Sequence, residues 1–110
     1  MPTAARLRGR RAFADLAHRG RTVRSGPLRV RYFAAPGLPA VGYAISKRTG
    51  NAVVRNRIRR RLRAAVTQAT TRMTSGFYLI IPDASTEHAP FTDLELAVNN
   101  AITALQDGGR

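Results

Sequence analysis

Cysteine is absent from this chain of 110 residues, so disulfide frameworks and thiolate metal sites are both excluded, and a reducing, cytoplasmic setting is the expectation. Long apolar runs are missing as well. Segments such as Phe77 to Pro82 are far too short to cross a bilayer, and the N-terminus lacks the apolar stretch of a secretory signal, so no membrane partner is expected. Acid is scarce: six Asp and Glu stand against 19 Lys and Arg, a formal charge of +13. Lysine is nearly absent too, with Lys47 alone among the arginines. Arginine is the cation whose planar fork suits phosphates and stacks on bases, although GC-rich coding would give the same bias.

Groups that could do chemistry are also few. His18 and His88 fall on different segments, and no two carboxylates are spaced to share a helix face as a metal or acid–base pair. Asp83, Glu87 and His88 cluster in one stretch that reads more readily as a solvated polar loop than as a cation site. No glycine-rich phosphate loop of the nucleotide-hydrolase type is present. The chain is therefore expected to carry no catalytic residue and to bind no cofactor alone.

What the chain does have is charge, unevenly placed. Residues 1–72 contain 17 Arg and Lys47 with Asp15 as their only acid, whereas residues 73–109 contain five acids and no Lys or Arg. Such a split implies one polyanion-binding region and one scaffold region. With 44% hydrophobic residues the length suits one core, and a single domain over residues 1–110 is expected, with residues 1–8 a flexible basic arm and 106–110 a fraying tail.

Periodicity gives the elements. Phe13, Leu16 and Ala17 suggest a short helix over Arg10–Arg19, with Gly20 as a left-handed terminal residue. Leu28, Val30 and Tyr32 alternate with Arg29, Arg31 and Phe33 as in a half-buried strand, and Ala40–Ser46 forms a second strand, with a hairpin expected between the two. An extra short strand is possible near Thr22 and Val23. Val54, Ile58, Leu62, Ala65, Val66 and Ala69 trace the apolar stripe of a long helix from Val53 to about Arg72. Phe77–Ile81 reads as a central strand closed by Pro82. A last helix is expected from Thr92, with Thr92 and Glu95 as a capping box, Phe91 and Leu96 as a hydrophobic staple, and Leu94, Val98, Ala101, Ile102 and Leu105 as its apolar face. The order αβ(β)βαβα defines an α/β (α+β) two-layer sandwich.

The segment from Lys47 to Arg63, KRTGNAVVRNRIRRRLR, holds eight cations and no acid. At about 100° per residue, Asn56, Arg59, Arg60 and Arg63 gather opposite the Ile58/Leu62 stripe, while Arg57 and Arg61 flank the other side. Arginines at i and i+4 repel by a few tenths of a kcal/mol per pair, so an unneutralised ridge of this kind is best explained by a phosphate partner. Gly50 and Asn51 would let backbone N–H groups at the helix start approach an anion. A basic run alone is more often a solvated face or a non-specific patch.

The specific string is more informative. Ile45, Ser46, Lys47, Arg48, Gly50 to Val53 and Arg55 to Arg60 resemble the signature of the bacterial ribonuclease P protein family, and the likeness extends outward over nearly the whole chain. The resemblance implies a sandwich with a left-handed βαβ crossover, against the usual rule. It implies a protein subunit that assists a catalytic RNA in endonucleolytic removal of the 5′ leader from precursor tRNA, with Mg²⁺ held by the RNA subunit. Both RNAs would be partners, and DNA would not. Carried over by motif, Lys47, Arg48, Arg55, Asn56, Arg57, Arg59, Arg60 and Arg63 would contact RNA. Phe13, with Arg31 or Tyr32 according to a one-residue choice of alignment, would line a cleft for the single-stranded leader. A second cleft aromatic usual in the family is Ala17 here. The alternative is a structural RNA-binding protein such as a ribosomal component; a basic DNA-binding or membrane-surface protein is a weaker third reading.

Overall fold

A computed structural model describes residues 4–37 and 39–108. The elements run β1 (Ala5–Arg6), α1 (Arg10–Arg19), β2 (Arg21–Ser25), β3 (Leu28–Phe33), β4 (Ala40–Tyr43), α2 (Ala52–Ala69), β5 (Phe77–Pro82) and α3 (Phe91–Gly108), with 3₁₀ turns at Lys47–Thr49, Thr70–Arg72 and Ala84–Glu87. The strands form one sheet in the order β1-β4-β5-β3-β2. This is the expected α+β class, built around β5, whose continuous apolar run is flanked on both edges.

Alternation divides the sheet into two faces. Leu28, Val30, Val41, Tyr78 and Ile80 point towards α2 and α3 and form the main core with Ile58, Leu62, Val66, Leu94, Val98 and Ile102. Phe33, Ala40, Phe77 and Leu79 point the other way, where Leu7 and the α1 residues Ala12 and Leu16 cover them. The buried face of α1 is thus Ala12 and Leu16 rather than the Phe13/Ala17 side, and Phe13 stays 46% exposed. α3 is fastened to β2 by hydrogen bonds from Ser25 Oγ to the Ala97 carbonyl (2.7 Å) and from Arg21 to the Leu105 carbonyl (2.6 Å).

Several local expectations are corrected. The hairpin partner of β3 is β2, paired antiparallel through Val23↔Val30; β4 instead lies parallel to β5, which separates it from β3. The possible strand near Thr22 is therefore a full five-residue element. Part of the presumed flexible arm is ordered: Ala5 and Arg6 pair in parallel with Ala40 and Val41, and Leu7 is buried. Gln106 to Gly108 are the last residues of α3, and Met1 to Thr3, Gly109 and Arg110, also parts of the expected arm and tail, lie outside the described residues.

Gly20 is extended (φ −76°) rather than left-handed. Its lack of a side chain is required by crowding, because a Cβ there would sit 2.6 Å from the Leu16 carbonyl oxygen. α3 opens at Phe91, and the Pro90 carbonyl accepts from Asp93 and Leu94 N–H at 2.9 and 3.3 Å, so Thr92 is already helical and cannot cap. Leu96 is 60% exposed and makes no staple.

The stripe on α2 is as expected: Ile58 and Leu62 are fully buried, with Ala65, Val66 and Ala69 nearly so. Ile58→Asp places an unpaired carboxylate in this core, a cost of several kcal/mol against a total stability of about 5–15 kcal/mol. The variant should lose its cooperative unfolding transition, as read by circular dichroism with temperature; a native-like melt would mean that the helix faces are misassigned.

Candidate nucleic-acid interface

The turn before α2 explains why the motif begins as it does. Gly50 has φ +155°, and a Cβ there would meet Val54 Cγ1 at 2.7 Å, so the chain can enter the helix at this angle only without a side chain. Asn51 follows as the N-cap, its side chain accepting from Val54 N–H at 3.0 Å. One helix-start donor is thus satisfied by Asn51 itself. Lys47 and Arg48 are exposed on the 3₁₀ turn just upstream.

The cations of α2 then divide into two sets. On one side Arg57 forms a 2.8 Å ion pair with Glu87, and Arg61 donates to the carbonyls of Thr86, Glu87 and Ala89. These two arginines hold the loop after β5 against the helix, so the ridge is not wholly without acid as the sequence suggested. On the other side Asn56, Arg59, Arg60 and Arg63 share a shallow groove of about 470 Å³ with Val53. Arg59 donates to the Asn56 side chain at 2.9 Å, which orients it along the ridge. Arg55 is half-buried, and its Nε has no hydrogen-bond partner.

Arg59 and Arg63 also face a second, larger groove of about 710 Å³ that wraps around the β1/β4 edge of the sheet. Its floor is Val41, Gly42 and Tyr43. Its far wall is the ordered arm, Ala4 to Leu7, with Phe13 of α1. Gly42 keeps the floor low, since a Cβ there would lie 3.0 Å from Leu7 Cδ2. One concavity therefore brings together an exposed aromatic, three arginines (Arg6, Arg59 and Arg63) and a phenol.

Tyr43 was read from the sequence only as a strand residue. Its phenol is raised to about 12 by burial, with the charge of Arg63 opposing the shift. Alternation alone could place Tyr43 on the face of α2 but could not show that the strand runs beside Arg63.

The residues expected to line the leader cleft are only partly brought together. Phe13 opens on the large groove. Arg31 lies on the same sheet face as α1, and its guanidinium is committed to the helix end: it donates to the Leu16 carbonyl, to the Ala17 carbonyl (3.0 Å) and to Thr22 Oγ1 (2.5 Å). Tyr32 is on the opposite face, as strand alternation demands. Its ring packs 4.8 Å from that of Tyr78 and its hydroxyl donates to the Ser75 carbonyl at 2.6 Å, so it does not join Phe13. Among the described residues no three His, Cys, Asp or Glu side chains are grouped to hold a metal, and no helix is long and apolar enough to span a membrane.

A two-faced helix with one arginine side open to solvent, set beside a groove with an exposed aromatic on an α+β sheet, defines the class as an RNA-binding protein. Comparison with known proteins gives the family. Residues 1–106 match the family described as Ribonuclease P. The ribonuclease P protein component of Coprothermobacter proteolyticus is 40% identical over 77% of this chain and 71% of its own length, and that of Beutenbergia cavernae 35% identical over 96% and 91%. The fold matches the RNase P protein of Staphylococcus aureus (TM-score 0.80, 18% identity, 94% and 97% coverage) and that of Thermotoga maritima (0.77, 20%, 88% and 94%). The chain belongs to the ribonuclease P protein family, the accessory subunits of an endoribonuclease that acts with RNA in tRNA processing.

Two outcomes follow from the site. Arg61→Ala removes a charged donor from three loop carbonyls and should lower stability by about 2 kcal/mol, measured as a shift in urea midpoint at unchanged slope. Because the folded Tyr43 phenol keeps its proton to about 12 against an ordinary value of 10.0, its stabilising contribution is complete below about pH 10 and is lost as pH rises towards 12. Tyr43→Phe should flatten the fall in stability across that window in denaturant titrations at stepped pH.

Proposed function

We propose that this chain acts in the cytoplasm as the protein subunit of ribonuclease P, binding the catalytic RNA and the precursor tRNA together so that the RNA removes the 5′ leader. The observation that carries this reading is the position of Arg59 and Arg63, which form a wall shared by two grooves. The shallow groove, with Asn56 and Arg60, presents guanidinium groups suited to the phosphates of a folded RNA. The larger one adds Phe13 to the same arginines and suits a single strand, whose bases stack while its phosphates pair with charge. The phosphodiester is cut by the RNA subunit with bound Mg²⁺; this chain supplies affinity, placement and charge neutralisation. Lys47, Arg48 and Arg55 extend the RNA-facing surface at the start of α2, and Arg57 contributes while paired with Glu87.

Cleavage of a precursor tRNA by the cognate catalytic RNA at low Mg²⁺, with and without the protein and across a series of leader lengths, tests the proposal. Stimulation should grow with leader length; tight RNA binding without stimulation would favour a structural RNA-binding role instead. Arg59→Ala and Arg63→Ala should each weaken precursor binding about tenfold, or ~1.4 kcal/mol, with circular dichroism unchanged. Each should also reduce the steepness of the log–log salt dependence by roughly 0.7 to 0.9. An unaltered slope would mean that the side chain touches no phosphate.

A further inference from the structure

Away from both grooves on α2, the far edge of the sheet carries a cleft of about 480 Å³, within the range of about 300–1,000 Å³ usual for small-molecule sites. It lies where β2 begins and β3 ends, between the last turns of α1 and α3, and β2 is the edge strand opposite β1. Arg19, Arg21, Tyr32, Phe33, Leu105 and Gln106 line it. None of its lining residues borders either groove on α2.

Both cations of the cleft are stacked on aromatic rings. The Arg19 guanidinium lies 5.1 Å from the centre of the Phe33 ring, and that of Arg21 lies 6.0 Å from the centre of the Tyr32 ring. Their roles differ. Arg21 also donates to the Leu105 carbonyl at 2.6 Å, which satisfies an open acceptor in the last turn of α3. Arg19 is exposed and meets no acid among the described residues. An arginine held flat on an aromatic ring presents a second flat surface, on which a nucleobase can stack.

Gln106 supplies a hydrogen-bonding edge. Its amide N–H donates to the Arg72 carbonyl, which fixes the side chain and leaves the amide oxygen and the second N–H for a ligand. That donor–acceptor pair matches N6 and N7 of adenine. Charge sets the rest of the ligand. Two guanidinium groups against the roughly half-unit negative ends of α1 and α3 leave about one positive charge, enough for a single phosphate and too little for a triphosphate.

We propose that this cleft binds an adenine nucleotide bearing one phosphate, its base stacked on Arg19 and read by Gln106, its phosphate drawn to the remaining N–H groups of Arg21. The same chemistry is offered by free AMP and by a single unpaired adenosine of an RNA. Such a site is independent of the RNA contacts proposed for α2.

Titration of the isotopically labelled full chain with AMP, followed by NMR, tests the assignment. The amide signals of Arg19 to Arg21, Ala34 and Gln106 should shift at concentrations that leave those of Asn56 to Arg63 unmoved. Arg19→Ala should weaken AMP binding about tenfold, whereas Arg59→Ala, outside the cleft, should leave AMP affinity unchanged. Arg19→Lys keeps the charge without the flat surface, so it should behave like Arg19→Ala. Gln106→Ala should erase the preference for AMP over CMP. Ribose 5-phosphate, with no base to stack, should bind about tenfold more weakly than AMP. Adding the catalytic RNA separates the sources: AMP that stays bound identifies the free nucleotide as the ligand, and AMP that is displaced identifies an adenosine of that RNA. Signals that shift only along α2, equal binding of ribose 5-phosphate, or an unaltered affinity in Arg19→Ala would overturn the site.

Discussion

Burial of Ile58 and Leu62 is the constraint on which the rest depends. Both side chains are fully enclosed between the sheet and α3, and each buries enough apolar surface to contribute on the order of 2 kcal/mol. Once they are fixed, helical geometry leaves no freedom for the intervening positions. Residues 59, 60 and 63 must face solvent, and residues 57 and 61 must face the loop that follows β5. The core thereby aims the charge, and no specific interaction among the arginines is needed to form the ridge.

The acidic and basic halves of the chain meet in a way that follows from the same geometry. The C-terminal part supplies Glu87 and a row of backbone carbonyls to Arg57 and Arg61, while Arg72 is held by Asn99 and Thr103 of α3. Cations near the scaffold are consumed in holding it together. On the far side of α2, Arg59 meets only the Asn56 amide, and neither it nor Arg60 and Arg63 pairs with an acid among the described residues. A high total charge is thus sorted by topology into cations that stabilise the fold and cations left available for RNA.

Sequence patterns reached the elements with strong periodicity and missed what depends on pairing. The α2 stripe and the run Phe77–Pro82 could be read because each repeats over many residues. The partner of Leu28–Phe33 could not, since both β2 and β4 offer compatible alternation and only the three-dimensional sheet places β5 between β3 and β4. Thr92 looked like a cap because its spacing from Glu95 was right, yet the Pro90 carbonyl had already accepted the first helical N–H groups. At the site, the arginine ridge was legible from spacing, whereas Tyr43 and the ordered arm were not. Their place in the groove comes from a parallel pairing between residues some 35 positions apart in the chain. Arg31 and Tyr32 were ambiguous by one residue, and a one-residue change moves a side chain through the sheet.

The ordered arm has a mechanical consequence. β1 is only two residues long and holds its edge through a short parallel ladder, with Leu7 as the single deeply buried anchor. So small a unit detaches at a free energy far below that of global unfolding. One wall of the groove is therefore held by far less burial than the opposite wall, on α2, which Ile58 and Leu62 fix in the core. On the proposed function, a groove with one yielding wall would admit strands of differing sequence without disturbing the helix.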